Sequence, residues 1–220
     1  MAPGRVDEVL KLSDSRIERG NYSVGITVTS VGEIVWVLGI VAWYVIRYPF
    51  ERRAKRVRVV SGRRSTSDAV GLAVALFGLA ILPGIYVATG FPESADYPAT
   101  VWAVILGTIA FSAALWVFRT SHKELGRNWS ITLEIREQHT LVCTGPYAFV
   151  RHPMYTSFML MGIGQAFLLS NWVAGLAGPV GFAVLFFMRI DKEERMMLEN
   201  FGPQYRAYME RTKRLVPYLY

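Results

Sequence analysis

Apolar segments long enough to cross a membrane alternate with polar segments along this chain of 220 residues. Residues 28–46, 69–89 and 99–118 form three such segments, and Glu33 is the only charged residue within them. A helix needs about 20 apolar residues to cross the hydrocarbon core of a bilayer. The pattern therefore predicts three transmembrane helices in the first half of the chain, with a kink at Pro83-Gly84 in the second of them.

The last apolar run, residues 154–188, contains 35 uncharged residues. As one straight helix it would be roughly 52 Å long, whereas the hydrocarbon core is roughly 30 Å thick. The Ser-Asn-Trp sequence at 170–172 lies near its middle and suits a turn at the membrane surface. We therefore predict a helical hairpin with legs over 154–170 and about 172–200. A final short helix over about 203–212 is predicted to place four side chains on one face: Tyr205, Tyr208, Met209 and Thr212.

The charged residues between the apolar segments set the predicted orientation. Residues 47–64 contain eight Lys or Arg and one acid, whereas residues 90–98 contain two acids and no base. Positively charged loops face the cytoplasm, so the N-terminus is predicted outside and the C-terminus inside. Both ends of the hairpin then lie on the cytoplasmic side. The net charge of +7 is explained by topology and anionic lipid, so no nucleic-acid partner is expected.

The predicted fold class is an all-α integral membrane protein of about five transmembrane helices, forming one domain over residues 1–220. Residues 28–118 would supply three scaffold spans, and residues 119–220 a catalytic loop, the hairpin and the C-terminal helix. The first 25 residues carry no apolar core, so no cleavable signal peptide is expected. A single cysteine, Cys143, excludes an internal disulfide framework. No zinc-ligand cluster is apparent, so no metal is expected.

Polar residues adjoin both ends of the predicted hairpin. The sequence Arg151-His152-Pro153 precedes the first leg, and Arg189 and Glu193, four residues apart, share one face of the second. The hairpin would bring a cation, a carboxylate and an imidazole to one membrane surface. The residues alone leave two interpretations open: a functional site, or basic anchors and an aromatic belt that only fix the spans in the bilayer.

Two sequence blocks resemble the isoprenylcysteine carboxyl methyltransferase family. The first is Gly145-Pro146-Tyr147-Ala148-Phe149-Val150-Arg151-His152-Pro153-Met154-Tyr155. The second is Glu193-Glu194, followed by Phe201-Gly202-Pro203-Gln204-Tyr205-Arg206-Ala207-Tyr208 and Arg214-Leu215-Val216-Pro217. The resemblance covers about residues 139–217. It implies a membrane enzyme with a cytoplasmic cofactor pocket, which transfers a methyl group from S-adenosylmethionine to a carboxylate on a prenylated, lipid-like acceptor.

The resemblance also implies roles for individual residues. Arg189 would face the acceptor carboxylate, and Glu193 would contact the cofactor; these two are the predicted catalytic residues. The other implied cofactor contacts are Thr132, His139, Thr140, Leu141, Val142, Tyr147, His152, Pro153, Met154 and Tyr155. The roles fit the chemistry, because the ammonium of the cofactor needs a carboxylate and its sulfonium is stabilised by aromatic faces.

The acceptor and the enzyme class have alternatives. A phospholipid N-methyltransferase resembles this chain around Arg-His-Pro, but its amine acceptor must lose a proton, and a fixed cation at Arg189 disfavours an ammonium. An NADPH-dependent sterol-type reductase and a non-catalytic membrane scaffold are the other two possibilities. The membrane would be the inner or plasma membrane of a prokaryote, or the endoplasmic reticulum of a eukaryote.

Three further residues are given structural interpretations. Cys143 is expected to form part of the cofactor wall rather than a nucleophile, and His122 is expected at the surface. Gln165 is expected to form a helix–helix hydrogen bond within the membrane, and a group in a substrate tunnel is the alternative. Five glycines of the hairpin are expected to let its two helices pack closely, with room for an acyl or prenyl chain as the alternative: Gly162, Gly164, Gly175, Gly178 and Gly181.

Overall fold

The computed structural model describes residues 27–54, 59–62, 66–126, 134–136 and 140–219. Seven α-helices carry most of this part of the chain. They are α1 (Val28–Ala54), α2 (Thr66–Leu76), α3 (Leu82–Thr89), α4 (Val101–Leu125), α5 (Pro153–Leu168), α6 (Trp172–Phe201) and α7 (Pro203–Arg211). Two short strands, β1 (Val59–Gly62) and β2 (Glu134–Arg136), form an antiparallel pair. The chain is an all-α integral membrane protein to which this strand pair is a minor addition.

Within the described residues, four helical segments are long and apolar enough to cross a membrane: Val28–Arg53, Thr66–Thr89, Val101–Leu125 and Trp172–Phe201. The remaining predicted span is α5, which has 16 residues. At 1.5 Å per residue it is about 24 Å long, somewhat less than the hydrocarbon thickness. It packs against α4 and α6. Because α5 and α6 run back along each other, the predicted hairpin is present, although its first leg is short.

The second membrane segment is irregular at the place where the sequence predicts a kink. One π-helical turn, Phe77–Ile81, separates α2 from α3, and Pro83 lies in the first turn of α3. Proline cannot donate to the carbonyl four residues before it, and its ring crowds that carbonyl. The Leu82 amide donates instead to the carbonyl of Phe77, five residues back. This leaves the carbonyl of Gly78 available to another helix.

Gln165 uses that carbonyl. Its amide nitrogen donates to Gly78 O at 3.0 Å and to Ala174 O at 2.7 Å, and its oxygen accepts from the Trp36 indole at 3.4 Å. The Gln165 side chain is fully buried. It therefore links α1, the π-helical turn and α6 to α5, which confirms its predicted role as a helix–helix hydrogen bond.

Glycines permit close helix contacts, but only some of these lie within the hairpin. A Cβ at Gly162 would lie 2.9 Å from the backbone nitrogen of Pro179 on α6, as expected. In contrast, a Cβ at Gly164 would lie 3.0 Å from Phe111 N on α4, and one at Gly181 would lie 2.9 Å from Val74 O on α2. The expectation is therefore wrong for Gly164 and Gly181, which pack the hairpin against α4 and α2, whereas Gly162, Gly175 and Gly178 do face the other leg of the hairpin.

The polar connections meet at one end of the helix bundle. The β1–β2 pair joins the segment after α1 to the segment after α4. The amide of Arg151, just before α5, donates to Lys213 O at 2.7 Å, so the segment after α7 also lies there. We call this the charged end of the bundle. The helix predicted at the C-terminus is present as α7, with Tyr205 and Tyr208 buried.

Candidate active site

The charged end brings together the start of α5 and the last turns of α6. The Arg151 side chain donates to Glu194 Oε1 at 2.9 Å, and His152 Nε2 lies 3.4 Å from the same oxygen. His152 Nδ1 lies 3.6 Å from Glu193 Oε1. Residues that are about 40 positions apart in the sequence are therefore neighbours, as the hairpin predicts.

Glu193 is a restrained but accessible carboxylate. The Tyr155 hydroxyl donates to its Oε2 at 2.8 Å, and Arg189 Nε lies 3.8 Å from that oxygen. Its side chain remains 27% exposed. The carboxylate is thus fixed by α5 on one side and can still accept a hydrogen bond from a ligand on the other.

Glu194 is the centre of the buried charges, and the sequence did not assign it a site role. Its side chain is only 5% exposed, and it accepts from Arg151, His152 and both Nε and Nη2 of Arg214. The Arg214 Nη2 contact is 2.7 Å long. Arg151 also donates to the carbonyls of Met209 and Thr212. The available signal was the second sequence block, which contains both Glu194 and Arg214.

His152 lies between these two carboxylates. Burial alone lowers the pKa of its imidazole, but hydrogen bonds and charge interactions with Glu193 and Glu194 outweigh burial and raise the pKa above its ordinary value of 6.5. Both ring nitrogens therefore face acceptors, which is the arrangement of an imidazolium. A ring held in this way orients Glu193 rather than offering a donor to a ligand.

Arg189 has the opposite environment. It is 7% exposed and lies one turn from Glu193 on α6. The apolar residues that pack together around this part of α6 include Tyr155, Phe186 and Ile190. Its Nε is buried without a hydrogen-bond acceptor in the described part of the chain. A buried donor in this state costs free energy unless an acceptor reaches it, so the geometry suits an anionic ligand.

Tyr147 lies in the turn before α5 and contacts α7. Its side chain is 7% exposed, and burial raises the pKa of its phenol well above 10. Its backbone carbonyl accepts from the Tyr208 hydroxyl at 2.6 Å. The phenol is therefore neutral at ordinary pH and presents an aromatic ring, as a cation-binding wall requires.

Five of the other predicted cofactor residues lie in the described part of the chain, and two do not. Thr140 is exposed, and Leu141, Val142 and Met154 are half-buried. Pro153 is buried at the first turn of α5. Thr132 and His139 lie outside the described residues. Their proposed cofactor contacts therefore remain predictions.

Cys143 and His122, which have predicted structural roles, differ in their burial. Burial raises the pKa of the Cys143 thiol, which disfavours the thiolate and fits a wall residue. His122, expected at the surface, is fully buried, so that prediction is wrong. Its ring lies 4.2 Å from that of Phe118 and 4.9 Å from that of Phe50, measured between centroids. The reason is that α1 and α4 both extend past the apolar segments that defined them.

Comparison with known proteins gives the site a context. Residues 100–199 match the model of the isoprenylcysteine carboxyl methyltransferase family. Protein-S-isoprenylcysteine O-methyltransferase B of Arabidopsis thaliana is 34% identical over 96 residues, which are 43% of this chain and 49% of the relative. Form A of the same plant is 33% identical over 116 residues, 53% of this chain and 56% of the relative. The chain thus spans about half the length of these relatives.

A solved structure supports the fold. The eukaryotic intramembrane Ras methyltransferase ICMT (isoprenylcysteine carboxyl methyltransferase) superposes with a TM-score of 0.52 at 22% identity. The superposition covers 86% of this chain and 64% of that one. The family match begins at residue 100, before the first sequence block. It ends at residue 199, so it includes Glu193-Glu194 but not the rest of the second block. Residues 100–199, which contain α4, α5 and most of α6, are thus the part of this membrane protein that is similar to the isoprenylcysteine carboxyl methyltransferase family.

Proposed function

We propose that this protein transfers a methyl group from S-adenosylmethionine to the carboxylate of an isoprenylated-cysteine-like acceptor. The reaction would take place at the charged end of the bundle, on the cytoplasmic side of the membrane. One observation carries the proposal. A restrained, accessible carboxylate (Glu193) and a buried guanidinium with an unused donor (Arg189) lie one helical turn apart, where α6 leaves its apolar segment.

The residues at this end fit the proposed cofactor. When bound, S-adenosylmethionine supplies an electrophilic methyl group on a sulfonium. Glu193 would accept from its ammonium, and the exposed part of the Glu193 side chain leaves room for that contact. Tyr147 would present an aromatic face to the positive charge. Residues 140–142, with Pro153 and Met154, would form the remaining wall.

His152 and Tyr155 would serve this site through Glu193. Tyr155 donates to Glu193 Oε2, and His152 lies on the other oxygen. Both contacts fix the direction in which the carboxylate points. We therefore assign His152 as a positioning residue, which refines the cofactor contact that the sequence implied.

Arg189 would hold the acceptor. A carboxylate needs no deprotonation at neutral pH, so the reaction requires alignment and the exclusion of water rather than a general base. Arg189 can align a carboxylate by charge-assisted hydrogen bonds, and its apolar surroundings strengthen them. The same buried cation would repel an ammonium, which argues against a phospholipid amine as the acceptor.

The test is methyl transfer by purified protein in detergent or nanodiscs. The donor is radiolabelled S-adenosylmethionine, and the acceptors are a farnesylated cysteine derivative and phosphatidylethanolamine. The proposal expects a base-labile methyl ester on the first and no product on the second. Arg189→Ala should abolish transfer while retaining S-adenosylhomocysteine binding, and Glu193→Ala should weaken that binding.

Two matched controls come from the same helix. Arg195 and Glu199 are exposed on α6, so Arg195→Ala and Glu199→Ala remove the same charges away from the proposed site. Both controls should transfer methyl at the wild-type rate. Near-native activity of the folded Arg189→Ala and Glu193→Ala proteins would contradict the roles assigned to these residues. A base-stable product would exclude the methyl ester, and binding of NADPH in place of S-adenosylhomocysteine would favour a reductase.

A further inference from the structure

An ion pair between a half-exposed lysine and a buried aspartate lies outside the proposed cofactor contacts, and the lysine is three residues from Arg189 on α6. Asp68, in the first turn of α2, is 6% exposed. The Lys192 ammonium lies 3.3 Å from its Oδ1 and donates to the Ser67 hydroxyl at 2.5 Å. Asp68 also benefits from its place at a helix N-terminus, where an anion is favoured. Neither residue has a role in the function proposed above.

The position of the pair follows from helix packing. Lys192 lies on α6 between Arg189 and Glu193. The α2 helix is pressed against α6: a Cβ at Gly71 would lie 3.2 Å from Leu185 Cδ1. The Lys192–Asp68 contact therefore joins the first turn of α2 to the turn of α6 that carries Arg189 and Glu193.

An unneutralised carboxylate at this position would oppose the proposed chemistry. Like charges repel strongly where water is excluded, and the acceptor that Arg189 would hold is itself a carboxylate. A lysine paired with Asp68 cancels this repulsion. We propose that Lys192 is a specificity-determining positioning residue: by neutralising Asp68, it allows Arg189 to attract an anionic acceptor. The inference rests on the proposed function and identifies the contact that keeps Asp68 from opposing Arg189.

The experiment removes the Lys192 charge from the protein and then compensates for it with a second substitution. Lys192→Met keeps the length of the side chain and removes its charge. We expect the KM for the farnesylated cysteine acceptor to rise about tenfold, with kcat and S-adenosylhomocysteine affinity near wild type. Lys192→Met combined with Asp68→Asn removes both charges and should return the KM to within about twofold of wild type. Lys123→Met, which removes an exposed lysine of α4, is the matched control and should not alter the KM.

The outcomes separate this inference from the proposed function. Wild-type protein that methylates no carboxylate acceptor would overturn the proposed function itself. Active wild type with an unchanged KM in Lys192→Met would overturn the inference alone. A KM that stays high in the double variant, or a parallel loss of S-adenosylhomocysteine affinity, would also overturn it, because either result describes structural damage. Thermal midpoints of all four proteins confirm that the comparison is made between folded molecules.

Discussion

The two ends of the α5–α6 hairpin both contain buried polar residues, but these residues differ in whether their polar atoms have hydrogen-bond partners. At the turn between the helices, Asn171 is fully buried and each of its polar atoms has a partner. Its amide donates to Pro92 O at 2.8 Å and to Asp96 Oδ1 at 2.6 Å. Its oxygen caps α6 by accepting from Val173 N and Ala174 N. At the charged end, Arg189 keeps a buried donor without an acceptor among the described residues.

This difference separates a structural polar residue from a candidate ligand residue. Buried polar groups are almost always satisfied, so Asn171 needs no function beyond holding the turn. A buried cation with an unused donor is an exception that requires an explanation, and a carboxylate ligand supplies one. Glu194 resembles Asn171 in this respect, although it lies at the charged end. We therefore expect stability to depend on Glu194 and Asn171, and activity to depend on Arg189.

The largest loss of stability is expected for Glu194→Ala. This change leaves Arg151, Arg214 and His152 close together without their common carboxylate. Removing one partner of a buried ion pair costs about 3–5 kcal/mol. The midpoint of unfolding in detergent should therefore fall steeply. Glu210→Ala, at an exposed position of α7, is the control and should unfold like wild type. A stable Glu194→Ala protein would show that the charged end does not depend on this centre.

A smaller loss is expected for Asn171→Ala. The variant removes a helix cap, which contributes about 1 kcal/mol, and leaves the Pro92 carbonyl and Asp96 without their donor. We expect a total loss of about 2 kcal/mol in the free energy of unfolding. Methyl transfer per folded molecule should not change, because the turn is at the opposite end of the hairpin. A specific loss of activity would contradict the purely structural role of this end.

These two ends also show how far the sequence could lead. The hairpin followed from length alone, because 35 uncharged residues cannot form a single span. The turn at Asn171 followed from its residue types. The role of Glu194 was not predicted, because helical geometry turns it about 100° from Glu193 and its partner Arg214 lies in a distant irregular segment. Side-chain contacts across such segments have no periodicity in the sequence.

His122 shows a second limit. The apolar segment ends at Phe118, so the sequence places His122 in water. The α4 helix continues to Leu125, and α1 continues through Pro49, so that Phe50 covers the imidazole. Helix ends beyond an apolar segment depend on what they pack against, and the charges at Arg119 and Lys123 hid this extension. Thr132 and His139, for which the family resemblance implied cofactor contacts, lie outside the described residues.

A pH dependence is expected from His152, with a smaller effect than either substitution. Its pKa is raised in the folded state, so its contribution to stability is fully present below about pH 6.5, the ordinary pKa. The contribution is lost as the pH rises through the folded pKa. Thermal midpoints measured at successive pH values should therefore decline over this range. The decline should be absent from His152→Gln, and an identical decline in both proteins would assign it to other groups.

The smallest effect on stability is expected for Arg189→Met, although this variant should lose methyl transfer. Methionine replaces the side chain at similar length and packs among Tyr155, Phe186 and Ile190. Its substitution removes a desolvated donor and only one long contact, 3.8 Å to Glu193, so the free energy of unfolding should change by less than about 1 kcal/mol. The prediction is tested by measuring the unfolding midpoint of Arg189→Met and its rate of methyl transfer to a farnesylated cysteine acceptor. If Arg189→Met is as destabilised as Glu194→Ala, Arg189 belongs to the structural network, and the contrast between the two kinds of buried polar group does not hold.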